Sequence, residues 1–148
     1  MRQGDPLSPI LFNIVVDMLA ILISRAKEAE QIEGVVPHLV EDGLSVLQYA
    51  DDTIIFMDND LERVKNIKLL LCAFEQLLGL NINFHKSELF CFGAAKANQN
   101  EYAQIFGCNV GSLPFRYLGI PMHHRKLMNR DRKHIEERFQ KRLKLLEE

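Results

Sequence analysis

Tyr49-Ala50-Asp51-Asp52, set within the run Leu44-Ser45-Val46-Leu47-Gln48-Tyr49-Ala50-Asp51-Asp52-Thr53-Ile54-Ile55-Phe56-Met57, decides how the fold is read. The run is rich in Val, Leu, Ile, Tyr and Phe, and two carboxylates interrupt it at its centre, which is out of keeping with a buried helix. β-Branched and aromatic residues suit half-buried strands, and aspartates suit tight turns. The pattern predicts a β-hairpin, Leu44 to Ala50 and Thr53 to Met57, with Asp51 and Asp52 at its turn. Two adjacent carboxylates between apolar strands are costly to bury unless a cation compensates them. Mg²⁺ fits that need, because it takes oxygen ligands and is bound through one or two carboxylates plus phosphates and water. A solvated turn is the other reading, and the pair alone does not separate the two.

Working outward, helices flank the run. Ser8 followed by Pro9 reads as an N-cap with proline at the first helical position, where its missing N–H costs nothing. Leu11, Ile14, Val15, Met18, Leu19, Leu22, Ile23 and Ala26 then form one apolar stripe, which must be buried against something. On the other side, Asn59 with Glu62 fits the reciprocal capping pattern. Leu61, Val64, Ile67, Leu71, Phe74, Leu77 and Leu78 follow at helical spacing up to Gly79. Leu80 to Phe84 and Leu89 to Phe92 read as extended, Ala94 to Phe106 as weakly helical, and Pro114 to Met122 as a strand or hairpin. Asn129 to Leu146 reads as a basic helix. The sum is an α+β fold with antiparallel strands and helices packed on one face.

Composition bounds the function classes. With 148 residues, 47% hydrophobic and 26% charged, the chain is long enough for one modest globular domain. No apolar run reads as the roughly 18 to 20 residues that cross a bilayer, and Met1 to Asp5 carry no apolar signal region, so no membrane is expected. The expected location is intracellular, nucleus or cytoplasm, rather than secreted. Cys72, Cys91 and Cys108 are odd in number, widely spaced and set among apolar neighbours, so buried thiols are expected and no disulfides. The formal net charge of -2 hides an asymmetry. Arg116 to Glu148 hold ten of the 18 Lys and Arg but five of the 20 Asp and Glu. Such a basic end suits either a nucleic-acid partner or a solvated helix face.

Four motifs occur in one order: Arg2-Gln3-Gly4-Asp5-Pro6-Leu7-Ser8-Pro9; Tyr49-Ala50-Asp51-Asp52; Gly79-Leu80-Asn81-Ile82-Asn83 with Lys86-Ser87-Glu88; and Tyr117-Leu118-Gly119-Ile120-Pro121. This series resembles the reverse-transcriptase domain of LINE-type (non-LTR) retrotransposons, most closely the plant elements. The resemblance spans essentially the whole chain. It implies a right hand of fingers, palm and thumb, with residues 1–122 in the second half of the palm and 123–148 opening the thumb as a basic helix.

The resemblance also implies roles. Arg2, Gln3 and Gly4 belong to the loop approaching the incoming nucleotide and template, although a plain turn before a capped helix accounts equally for Arg2. Glycine suits such a loop because backbone approaches a ligand closely there. Asp51 and Asp52 match the family's metal-binding turn, in a site that takes two Mg²⁺ ions when complete, with Mn²⁺ as the substitute. Tyr49 either packs beneath that turn or contacts the nucleotide. Lys86 lies either near the triphosphate, where a cation would neutralise or protonate departing pyrophosphate, or in solvent. Tyr117, Leu118 and Gly119 match the segment that grips the primer end, while Leu118 and Ile120 also fit a core. The implied partners are an RNA template, a DNA primer and deoxynucleotide triphosphates.

The chain also departs from the family. The third carboxylate of the family's site lies on an earlier strand, upstream of the glutamine-glycine loop with which this chain opens, and the fingers precede that loop as well. Asp17 lies within the first predicted helix and does not replace it. Arg132 stands where plant elements often carry tryptophan. The expectation is a truncated RNA-directed DNA polymerase, inactive alone, with a missing N-terminal palm and fingers segment that leaves a strand edge and a helix stripe uncovered. The competing expectation is a non-catalytic module that binds primer–template.

Overall fold

The computed structural model describes residues 7–36, 43–50 and 52–123, with helical positions 133, 136, 137, 139, 140 and 143 beyond them. Helix α1 spans Leu7–Glu28, β1 Val46–Tyr49, β2 Asp52–Ile55, α2 Leu61–Leu78, β3 Glu88–Leu89, α3 Gln99–Phe106, β4 Asn109–Val110, β5 Phe115–Tyr117 and β6 Ile120–Met122. Tight helical turns occupy Phe84–Lys86 and Gly93–Asn98. The class is α+β, as the residue pattern predicts. One part of that expectation is corrected: β1–β2 and β5–β6 are antiparallel hairpins, but β3 and β4 pair in parallel. The reason is topological, since the chain between β3 and β4 crosses over through α3 rather than through a hairpin turn.

The core lies where three helices meet. Leu19, Ile23 and Ala26 of α1 are buried with Ile32, with Val64, Ile67, Leu71 and Phe74 of α2, and with Tyr102 and Phe106 of α3. Val46 and Ile55 of the first hairpin pack against the same cluster. The α1 stripe is therefore buried only in its C-terminal half. Leu7, Ile10, Leu11, Phe12 and Ile14 in the first two turns are exposed, along with Ile21. The 20-residue run Pro9–Glu28 is long and apolar enough, by length and composition, to cross a membrane, which corrects the statement that no such run exists. Three residues of that run, Leu19, Ile23 and Ala26, are buried, and they pack into the core shared with α2 and α3.

Helix boundaries follow capping chemistry, with small corrections. The helix already includes Leu7, so Ser8 and Pro9 fall within its first turn, where proline is tolerated. Asp60, not Asn59, caps α2: its carboxylate accepts the Arg63 amide at 2.9 Å. Asn59 instead uses its Oδ1 to accept the buried Tyr102 hydroxyl at 2.9 Å, tying the entry of α2 to α3. Gly79 closes α2 at φ 62°, the left-handed position at which an L side chain is strained. Leu77 is 66% exposed, because α2 buries a stripe too narrow to include it. Phe84, expected in an extended stretch, instead opens a tight helical turn capped by Asn83.

Between α1 and β1 the backbone closes on itself. Val35 and Leu44 exchange two N–H···O bonds of 2.7 Å each. Beside that bridge Gly43, at φ 71°, lies so close to Gly34 that an added Cβ would sit 2.7 Å from the Gly34 carbonyl carbon and oxygen. Lys27 Nζ donates to the Gly43 carbonyl at 3.1 Å. This bridge fixes where the first hairpin leaves α1.

Candidate active site

The carboxylate hairpin forms with a two-residue connection. Val46 pairs with Ile55, Leu47 with Ile54, Gln48 with Thr53 and Tyr49 with Asp52. Ala50 has φ 50°, the sign required at the first central position of the primed turns that match strand twist. Asp52 is thus the first residue of β2 rather than a turn residue, so the strand begins one position earlier than the sequence pattern places it. Side chains directly opposite in a ladder share a face, and faces alternate along a strand. With Val46 and Ile55 on the core side, Leu47, Ile54, Tyr49 and Asp52 fall on the outer side. The Asp52 side chain is exposed, and Tyr49 is 62% exposed. Tyr49 therefore does not pack beneath the turn. The core already takes its apolar cover from Val46 and Ile55.

Asp51, Arg2, Gln3 and Gly4, each a sequence candidate, lie outside the described residues. Lys86 ends the helical turn after Asn83, whose side chain accepts the Lys86 amide at 3.2 Å, and its own side chain is exposed. Tyr117, Leu118 and Gly119 lie at the tip of the β5–β6 hairpin, where Tyr117 pairs with Ile120. Leu118 at φ 52° and Gly119 at φ 82° form the two left-handed positions of a primed turn. Leu118 and Ile120 are about half exposed, at 50% and 49%, so they are not core residues. The structure thus pairs Tyr49 with Asp52 and keeps Lys86 and the Tyr117–Gly119 tip on separate elements.

Asp52 offers an exposed carboxylate at the hairpin end, and one carboxylate with phosphates and water is a donor set that a hard ion accepts. Among the described residues no group of three or more His, Cys, Asp or Glu gathers around one point. The fit is to a site in which substrate and further oxygen ligands complete the coordination.

Sequence similarity carries the same pattern. A family profile described as reverse transcriptase (RNA-dependent DNA polymerase) matches residues 1–122. The chain belongs to this family. Reverse transcriptases act on template and primer with deoxynucleotides and use divalent metal ions. The chain is 34% identical over 85 residues, 57% of its length, to a retrovirus-related Pol polyprotein from the type-1 retrotransposable element R2 of Popillia japonica. A second R2 polyprotein from the same beetle is 34% identical over 86 residues, 58% of the chain. These matches place this reverse-transcriptase domain with the non-LTR type. The chain spans only 13% and 11% of the length of those two polyproteins. An uncharacterized mitochondrial protein of Arabidopsis thaliana is 40% identical over 53 residues, covering 36% of the chain and 43% of that protein.

Sequence reasoning missed the residues that seat the second hairpin. Phe90 and Phe115 stack with ring centroids 4.2 Å apart and planes 19° from parallel. Gly111 lies against Phe90, where a Cβ would meet the ring. The available signal was a phenylalanine at the end of one extended stretch and another at the start of the next, but nothing local to either indicated that they meet.

Proposed function

We propose that the β1–β2 hairpin is the metal-binding turn of an RNA-directed DNA polymerase, and that the β5–β6 hairpin contacts the primer end beside it. The observation that carries this reading is the exposed Asp52 carboxylate at the end of a hairpin whose other face is packed into the core. In this reading Asp51 and Asp52 hold Mg²⁺ or Mn²⁺, which when bound supplies charge neutralisation for nucleotidyl transfer. Tyr49, exposed on the same face as Asp52, stands where it would meet the incoming nucleotide or its template base. Lys86 offers an ammonium for the triphosphate, and Arg2, Gln3 and Gly4 line the nucleotide and template side. Tyr117, Leu118 and Gly119 hold the primer strand through a rigid turn.

A two-ion site takes more oxygen donors than Asp51 and Asp52 alone supply. In this reading these residues bind primer–template, and polymerisation requires a further carboxylate beside them. The affinity to plant elements is part of the proposal and is supported by the match to the Arabidopsis protein.

Primer extension on an RNA template with Mg²⁺, run beside a binding assay with the same duplex, tests the reading. Salt-sensitive binding without incorporation is expected, together with protection of the hairpin by Mn²⁺ that Asp52→Asn removes. A chain that binds primer–template but takes up no divalent ion fits the competing module instead.

A further inference from the structure

The β5–β6 hairpin has three residues in each strand, which is too short to hold its position alone. Its own geometry is nonetheless well specified. The cross-strand pairs Phe115–Met122, Arg116–Pro121 and Tyr117–Ile120 set the register, and the Leu118–Gly119 turn sets the twist. Among the described residues it has no broad attachment to the helical core. None of its residues belongs to the buried cluster or to the shell of partly buried residues packed against it.

Its attachment is aromatic. Phe90 directly follows β3, and β3 is held in parallel to β4 beneath α3. The Gly111 amide donates to the Leu89 carbonyl at 2.8 Å, which extends that pairing one step past β4. At this point the Phe90 ring edge, Cε1 and Cζ, occupies the space a Gly111 Cβ would take. The ring therefore lies against bare backbone, and Phe115, the first residue of β5, stacks on it. Any side chain at 111 would drive the Phe90 ring away from the place where Phe115 meets it.

We propose that Phe90, Gly111 and Phe115 form the joint that positions the β5–β6 hairpin, so that the orientation of the Tyr117–Gly119 tip toward the primer end is set by this stack. The three act as positioning residues and do not themselves touch nucleic acid. The proposal rests on the primer-end reading of the hairpin given above. Its physical content is separable from that reading, because an offset aromatic stack and a backbone-to-ring contact fix direction as well as proximity. Two residues from the joint, Tyr117 shares the inward face of β5 with Phe115, and Arg116 between them projects to the other side. Rotation of the ring pair would therefore swing the tip as a unit.

The test uses the full 148-residue chain. Amide hydrogen exchange is measured over residues 115–122 for the unsubstituted chain and for Phe90→Ala, Gly111→Ala and Phe90→Tyr, with residues 61–78 as an internal reference for folding. Affinity is measured for two duplexes of equal length, one with a recessed primer 3′ end on an RNA template and one blunt, and Tyr117→Ala serves as the direct-contact control. Loss of the stack is expected to raise exchange across β5 and β6 about two- to tenfold while α2 is unchanged. It is also expected to reduce preference for the recessed end by a similar factor while leaving blunt-duplex affinity in place. Phe90→Tyr, which keeps the ring, restores both. Unchanged exchange in Phe90→Ala overturns the joint, and so does raised exchange with undiminished end preference when Tyr117→Ala does reduce it. If Tyr117→Ala leaves the preference intact, the primer-end reading falls and with it the joint's role toward the primer, while the exchange measurement still decides whether the stack holds the hairpin.

Discussion

Replacing Gly43 with alanine should destabilise this chain more than the same replacement at Gly79, although both glycines sit at left-handed φ. At Gly79, φ 62°, an added Cβ meets nothing within 4 Å. The cost there is conformational, about 1–2 kcal/mol for an L residue in that region. It is offset in part by the stiffer unfolded chain of the alanine variant, by about 0.4–1 kcal/mol. A net loss of about 1 kcal/mol is expected. At Gly43, φ 71°, the same balance applies, but the new Cβ would lie 2.7 Å from the Gly34 carbonyl carbon and oxygen. Those atoms are backbone and cannot rotate aside. Separating the two segments stretches the Val35–Leu44 bridge, in which two hydrogen bonds are worth about 1 kcal/mol each. The Gly43→Ala loss should therefore reach about 3 kcal/mol, which places it about 2 kcal/mol beyond Gly79→Ala. Urea unfolding followed by circular dichroism reads this directly: for a typical slope of about 1–3 kcal/mol/M, the two midpoints should separate by about 1 M. Equal midpoints, or a milder effect at Gly43, would refute the argument that close backbone approach fixes the hairpin onto α1.

Further outcomes follow from the same structure. Leu19→Ala, in the buried half of α1, should cost about 2–5 kcal/mol, whereas Leu11→Ala in the exposed half should cost well under that, as compared by urea midpoints. Asp60→Ala should cost about 1 kcal/mol through loss of the cap on the Arg63 amide, and Asn59→Ala should act through the Tyr102 hydroxyl instead, as urea midpoints of the two variants would show. Burial pushes the Cys91 thiol up, with Cys108 adding to the shift, and burial likewise raises Cys108 despite the opposing influence of a backbone hydrogen bond and Lys68. Both thiols should therefore alkylate more slowly in the folded chain than in urea at mildly alkaline pH. Because their folded-state values are raised, the associated stability is present below the ordinary thiol range and is lost as pH rises through the folded values.

Much of this was legible from local pattern, and the exceptions have physical causes. α1 and α2 show in their apolar period, and Gly79 ends α2 as its position suggests. The first hairpin is visible because β-rich composition surrounds two turn-forming aspartates, but strand pairing decides that Asp52 joins the ladder. The cap of α2 moved from Asn59 to Asp60 because Tyr102, 43 residues away, takes the Asn59 oxygen. The parallel β3–β4 pair and the Phe90–Phe115 stack depend on chain crossover through α3, and no window of sequence contains that. The solvent-facing half of α1 could not be recognised either. An apolar stripe says that a face is suited to burial, but only the positions of α2 and α3 show how far along the helix it is covered. At the candidate site, the motif singles out Tyr49 and Asp52, whereas their shared outer face required the register.

The central claim is that Asp51 and Asp52 are the metal-binding carboxylates of an RNA-directed DNA polymerase site. The most direct measurement is deoxynucleotide incorporation on an RNA template by a chimera in which residues 1–122 replace the aligned segment of an active R2 polyprotein, with and without Asp51→Ala and Asp52→Ala. The account predicts incorporation by the chimera, its loss in each aspartate variant, and primer–template binding that persists in both. Incorporation undiminished by the substitutions would contradict it.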